Sequence, residues 1–147
     1  MLSGYTGATF RTATLMNVDA WERRDIVNVA DINQDSTPDL LWRNLDNGTM
    51  YVRHGRPGSV AGSVDLNSLT LASNSLNGDV QYGTSWTEAN VSTAIGIPDV
   101  NNDSIPDLWA RSGVDGQMRV YYPSQTNTNA PAKNVLTVDW RSHRSLS

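Results

Sequence analysis

Short apolar–polar alternations run along the chain, with no long stretch of helical periodicity. Two β-branched runs stand out, Ile26-Val27-Asn28-Val29-Ala30 and Ser92-Thr93-Ala94-Ile95-Gly96-Ile97. Each leads into a polar loop, and each loop is left by a second apolar run, Leu40-Leu41-Trp42-Arg43 and Leu108-Trp109-Ala110-Arg111. Asp46-Asn47-Gly48 and Asp115-Gly116 then supply turn residues that tolerate positive φ, so each second strand folds back on a third. Those third strands are Thr49 to His54 and Gln117 to Tyr122. Fourth strands are expected at Leu66 to Ala72 and Asn134 to Asp139, after the polar linkers Gly55 to Asp65 and Pro123 to Lys133. The pattern predicts two four-stranded antiparallel meanders.

The meanders are copies of one unit. Asp31-Ile32-Asn33-Gln34-Asp35-Ser36-Thr37-Pro38-Asp39-Leu40 recurs 68 residues on as Asp99-Val100-Asn101-Asn102-Asp103-Ser104-Ile105-Pro106-Asp107-Leu108. Without a gap, 11 of the 23 positions from 31 to 53 are identical to those from 99 to 121, too many for chance at fixed register. Four-stranded sheets repeated at this spacing are β-propeller blades. The expected organisation is a last strand of a preceding blade over 1–20, one blade over 21–85, a second over 86–139, and the start of a further repeat over 140–147. The stretch from Thr12 to Trp21 resembles that from Asn134 to Trp140, which suggests the first and last of these segments. Two blades cannot close a ring. They belong to a longer array, or they complete a ring with other copies as a homo-oligomer through faces left open at each end.

Composition narrows the chemistry. Thirteen of the fifteen acidic residues are Asp, a turn and ligand residue, and only Glu22 and Glu88 are Glu. The net charge of −4 is therefore local to loops. Lys133 is the one lysine and the arginines are scattered, so no basic stripe offers itself to nucleic acid. Cysteine is absent, which removes disulfides, thiolate metal sites and cysteine nucleophiles. No apolar run approaches the ~20 residues that span a bilayer. Residues 1 to 10 lack the layout of a signal peptide. The chain is thus intracellular or a piece of a secreted protein without its leader.

The repeated loops carry the candidate chemistry. Calcium takes six to eight oxygen ligands. In the first loop Asp31, Asn33, Asp35 and Asp39 offer side-chain oxygens and Thr37 a backbone carbonyl; in the second, Asp99, Asn101, Asp103, Asp107 and the Ile105 carbonyl do the same. Two carboxylates a few ångströms apart repel by about 4 kcal/mol at an effective dielectric near 20, and a divalent cation reverses that sign. Pro38 and Pro106 hold the residue before them extended and launch the next strand. An EF-hand is excluded: its bidentate Glu would fall at Trp42 and Ala110, and strands follow in place of a helix. Two calcium ions per chain are expected. A loop that needs millimolar calcium works outside the cell, which favours a secreted or cell-surface protein.

The run Asp-x-Asn-x-Asp-x-x-Pro-Asp-Leu, then Leu41-Trp42-Arg43-Asn44, then Asn47-Gly48 and Tyr51-Val52, resembles the FG-GAP or VCBS-type repeats of integrin α-subunits and bacterial secreted proteins. The resemblance covers about residues 20 to 123 and is specific in the loop and its hairpin. It implies an all-β propeller with calcium between the first and second strands of a blade. The family commonly has Gly at loop position 6, where a positive φ is easiest, and here Ser36 and Ser104 stand instead. Either Ser accepts that conformation or the loop takes another path.

The remaining residues support no catalysis. There is no nucleophile elbow, zinc helix or phosphate loop, and His54 and His143 read as ordinary surface or interface histidines. Trp21, Trp42, Trp86, Trp109 and Trp140, with Tyr51, Tyr121 and Tyr122, read first as packing between blades and second as a platform for a sugar face. Asn47-Gly48-Thr49 and Asn90-Val91-Ser92 fit glycosylation sequons. The function expected is a non-enzymatic calcium-binding propeller module that binds protein or carbohydrate outside the cell. The alternative is a non-catalytic scaffold portion of a secreted enzyme.

Overall fold

The computed structural model describes residues 2–3, 7–9, 12–13, 15–16, 18–71, 78–129 and 131–142. Near the start, β1 (Leu2–Ser3) pairs antiparallel with β2 (Thr12–Ala13), and a single helical turn, α1 (Val18–Trp21), follows. The rest is two four-stranded antiparallel sheets. The first holds β3 (Arg24–Ala30), β4 (Asp39–Asn44), β5 (Thr49–Arg53) and β6 (Asp79–Gly83), with a short helix α2 (Leu66–Thr70) between β5 and β6. The second holds β7 (Val91–Ile97), β8 (Asp107–Ser112), β9 (Met118–Tyr121) and β10 (Pro131–Leu136). In both sheets the spatial order follows the chain order. Among the described residues no helix is long and apolar enough to cross a membrane.

The two first-strand ladders differ in register by one residue. Ala30 faces Asp39 in the first sheet, whereas the second ladder begins at Ile97 and Asp107. The residue equivalent to Ala30 is Pro98, which has no N–H to give to a ladder; β7 ends before it, and Ile97 takes the place opposite Asp107. Both hairpin turns end on a glycine with left-handed φ, +69° at Gly48 and +71° at Gly116. Each turn then receives the tryptophan of the following segment: Trp86 N donates to Gly48 O at 2.8 Å, and Trp140 N donates to Gly116 O at 2.9 Å.

The fourth strand of the first sheet differs from the expectation. Leu66 to Thr70 is helical, and the strand lies later, at Asp79–Gly83. Asp65 caps the helix by accepting from Asn67 N at 3.0 Å, and Leu69, three residues from Leu66, is fully buried. That spacing suits one helical turn; a strand would turn one of the two leucines outward. Ala72 lies outside the described residues. In the second sheet the fourth strand falls at Pro131–Leu136, three residues earlier than expected, with irregular register against β9.

The two sheets pack face to face through one core. Val27, Leu41, Met50, Val52 and Tyr82 of the first meet Ala94, Leu108, Ala110 and Tyr121 of the second, with Ile32, Trp86 and Val91 among them. The closest approach is between β3 and β7. A Cβ at Gly96 would fall 2.1 Å from Asn28 Cγ, so glycine there lets the strands come together. Arg43 crosses the same interface. Its Nη1 donates to the Val91 carbonyl at 2.5 Å and the Trp86 carbonyl at 3.4 Å, while Nε donates to Asp25 at 3.1 Å.

The outer face of the first sheet is not open. Leu40, Trp42 and Leu69 form a second cluster there, with Met16, Trp21, Tyr51 and Val64 packed against it. The polar linker that sequence reading left as a spacer therefore carries part of a covering layer. Beneath it Arg53 pairs with Asp79 at 2.6 Å, both side chains 1% exposed. Trp42 Nε1 donates to the same carboxylate at 3.1 Å.

Candidate functional site

Both aspartate loops join the first strand of a sheet to the second, and they lie side by side. Gln34 Nε2 of the first donates to the Asp103 carbonyl of the second at 3.4 Å. Each loop turns twice through left-handed backbone, at Gln34 (φ 64°) and Ser36 (φ 70°), and at Asn102 (φ 66°) and Ser104 (φ 70°). Serine thus adopts the conformation that glycine would take at position 6.

The turns are held by the residues expected to bind metal. In the first loop Asp31 Oδ1 accepts from Asp35 N at 3.0 Å and Oδ2 from Ser36 N at 2.8 Å. Asp35 Oδ1 accepts from Thr37 N at 2.8 Å, and Asn33 Nδ2 donates to Asp35 Oδ2 at 2.9 Å. In the second, Asp99 accepts from Asn102 N at 2.6 Å and Ser104 N at 2.7 Å, Asp103 from Ile105 N at 2.8 Å, and Asn101 Nδ2 donates to Asp103 at 2.8 Å. Thr37 and Ile105 are buried under their loops. As these side chains are oriented, no three Asp, Glu or His among the described residues enclose a metal position. The carboxylates are turned onto the N–H groups of their own loop.

These contacts set the charge state. The Asn33 amide, ahead of the opposing effect of burial, holds the Asp35 carboxyl below its ordinary value. Burial pushes Asp99 up, but the N–H groups of Ser104, Asn102, Asp103 and Asn101 together outweigh it and the carboxyl ends low. Asp107 goes the other way: burial, then the charges of Asp103 and Asp99, raise it.

The position-9 carboxylates are 0% exposed in both loops, yet their partners differ. Asp39 Oδ2 accepts from Ile32 N at 3.0 Å and Asn33 N at 3.2 Å. Asp39 Oδ1 accepts from Gly55 N at 3.0 Å and lies 3.2 Å from His54 Nδ1. Asp107 Oδ2 accepts from Val100 N at 2.7 Å, but Asp107 Oδ1 is buried with no hydrogen-bond partner among the described residues. Such an oxygen is costly to leave unmatched. The charges of Asp103 and Asp99 act on the same carboxylate. The donors around it are carboxylate, amide and carbonyl oxygens without sulfur, a set that suits a hard divalent ion such as calcium.

His54 was not singled out by sequence. Leu40 pairs with Arg53, so the next pair outward along that ladder is Asp39 and His54, and the register alone would have placed the imidazole at the loop mouth. His143 lies outside the described residues. The tryptophans divide. Trp42 and Trp86 are buried, Trp42 stacked on Tyr51 at 4.6 Å and edge-on to Trp21 at 5.5 Å, and Trp86 against Tyr121 at 4.6 Å. These rings are packing elements. Trp21, Trp109 and Trp140 are partly exposed.

No family model, curated protein or solved structure matches the chain.

Proposed function

We propose that this chain is a pair of FG-GAP or VCBS-type propeller blades that bind one calcium ion in each aspartate loop and serve as a binding module outside the cell. The observation that carries the reading is the buried Asp107 Oδ1, without a hydrogen-bond partner among the described residues and under the charge of Asp99 and Asp103, in a loop that the chain contains twice. Asp99, Asn101, Asp103, Asp107 and the Ile105 carbonyl would hold one ion; Asp31, Asn33, Asp35, Asp39 and the Thr37 carbonyl would hold the other. Bound calcium supplies positive charge that cancels carboxylate repulsion and fixes the turn; it performs no reaction here.

The blade reading is supported by two sheets of the same strand order, packed face to face with their first strands closest. Burial of Trp42 and Trp86 removes the central rings from any sugar platform and favours a protein partner, met by loops at the sheet edges. Calorimetric titration of the chelator-treated chain tests the metal. About two calcium sites are expected, with a weaker magnesium response because magnesium demands a stricter octahedron. Absence of calcium heat, or equal response to magnesium, overturns the proposal.

A further inference from the structure

We infer that the two loops are inequivalent calcium sites: the second takes the first ion, and the first, whose position-9 carboxylate has internal partners, fills only afterwards. The inference rests on the calcium reading above and goes beyond it by ordering the sites and naming the residues that order them. The loops match in spacing, in left-handed turns and in the contacts of Asp31 and Asp99, of Asn33 and Asn101, and of Asp35 and Asp103. Asp99 also accepts from Asn102 N, and the difference that bears on metal lies at the outer oxygen of the position-9 carboxylate. Asp39 Oδ1 accepts from Gly55 N at 3.0 Å and has His54 Nδ1 at 3.2 Å. Asp107 Oδ1 has neither, because 68 residues beyond His54 the chain carries Tyr122, and beyond Gly55 it carries Pro123.

The replacement of both donors is chemical. Proline has no N–H to offer. His54 Nδ1 lies 3.2 Å from both Asp39 Oδ1 and Asn33 Nδ2, and it donates to the carboxylate in the tautomer that carries the proton on Nδ1; tyrosine carries no ring nitrogen. To bind calcium, the first loop must exchange the Gly55 hydrogen bond on Asp39 Oδ1, and displace the neighbouring His54 ring, for the ion. The second loop exchanges none on Asp107 Oδ1 and relieves an unmatched buried charge instead. Hydrogen bonds to a charged group are worth enough that the affinities should differ by about ten- to a hundredfold. Gln34, hydrogen-bonded to the Asp103 carbonyl, places the first loop against the one that fills first.

The test is a titration of the chain with calcium, followed by amide NMR. In the unaltered chain, the amides of Asn102, Asp103 and Ser104 should shift during the first equivalent, and those of Asp35, Ser36 and Thr37 during the second. By calorimetry Asp107→Asn should remove the tighter class and Asp39→Asn the weaker. His54→Tyr, at a side chain 40% exposed, should raise the affinity of the weaker class towards that of the tighter. Simultaneous shifts in both loops, or loss of the tighter class in Asp39→Asn, overturns the inequivalence while leaving two calcium sites standing. No calcium-dependent shift in either loop overturns the calcium reading and the order with it.

Discussion

Gln34 Nε2 donates to the Asp103 carbonyl at 3.4 Å, and Gln34 Oε1 accepts from Gln125 Nε2 at 3.0 Å. A residue held in left-handed backbone in the first loop thus bridges the second loop and the linker that follows β9. The bridge is exposed, so its contribution to stability is small, about 0.5–1 kcal/mol for the pair of bonds. Gln34→Ala should lower the unfolding free energy by that amount in chelator and shift the urea midpoint down accordingly. It should also weaken any effect of calcium in one loop on affinity in the other, read by calorimetry. An unchanged midpoint would mean that water replaces the bridge at no cost.

Ser36 and Ser104 both sit at φ 70°, where a side chain is strained and glycine is not. Ser36→Gly and Ser104→Gly should each stabilise the chain, by about 0.5–1 kcal/mol once the greater freedom of glycine in the unfolded state is discounted. Their N–H groups, which donate to Asp31 and Asp99, are kept by the substitution. Urea unfolding of each variant in chelator checks the sign. A loss would show that the hydroxyl contributes more than the strain costs.

Much of the architecture was legible because period-two alternation and turn residues are local signals. The runs around Val27, Leu41 and Val52, with Gly48 closing the hairpin, placed three strands of the first sheet, and the fixed offset of 68 placed their copies. The fourth strands were harder. Asp79-Val80-Gln81-Tyr82 is short and polar; its fixed points are Asp79 on Arg53 and the buried Tyr82, long-range facts that no window shows. Leu66 and Leu69 looked like strand residues until Asp65 capped a helical turn beneath them. At the site, the pairing of the two aspartate loops was readable from spacing, but the difference between them was not. It arises where β5 and β9 end, at His54-Gly55 and Tyr122-Pro123, outside the motif.

The Arg53–Asp79 pair is buried on both sides, and Trp42 Nε1 shares its carboxylate. Arg53 also donates to the carbonyls of Leu69 at 3.0 Å and Leu71 at 2.7 Å, which fastens α2 to the sheet. Removing one partner leaves an uncompensated buried charge. Arg53→Met should cost about 3–5 kcal/mol, whereas replacing both charges with apolar residues of similar volume should recover a large part of that loss. Equilibrium unfolding of Arg53→Met and of the double variant Arg53→Met with Asp79→Leu gives the comparison. A double variant as unstable as the single would place the energy in the Trp42 and carbonyl contacts instead.

Asp107 ties metal, pH and stability together. Burial and the charges of Asp103 and Asp99 raise its folded-state pKa above the ordinary 3.8. Between 3.8 and that raised value the folded chain holds a proton which the unfolded chain has released. Stability in chelator therefore falls as pH rises through this window, and above it the loss is complete. Calcium reverses the effect, since an ion bound only by the folded state adds about 2.7 kcal/mol at a hundredfold excess over Kd. Asp107→Asn keeps an oxygen for Val100 N while removing the buried charge. The variant should melt above the unaltered chain in chelator at neutral pH, lose the pH dependence in that window, and gain less from calcium. Thermal melts at several pH values, with and without calcium, measure all three. If Asp107→Asn melts lower than the parent in chelator, the carboxylate is already compensated in the metal-free chain, and the second loop is a structural turn rather than a cation site.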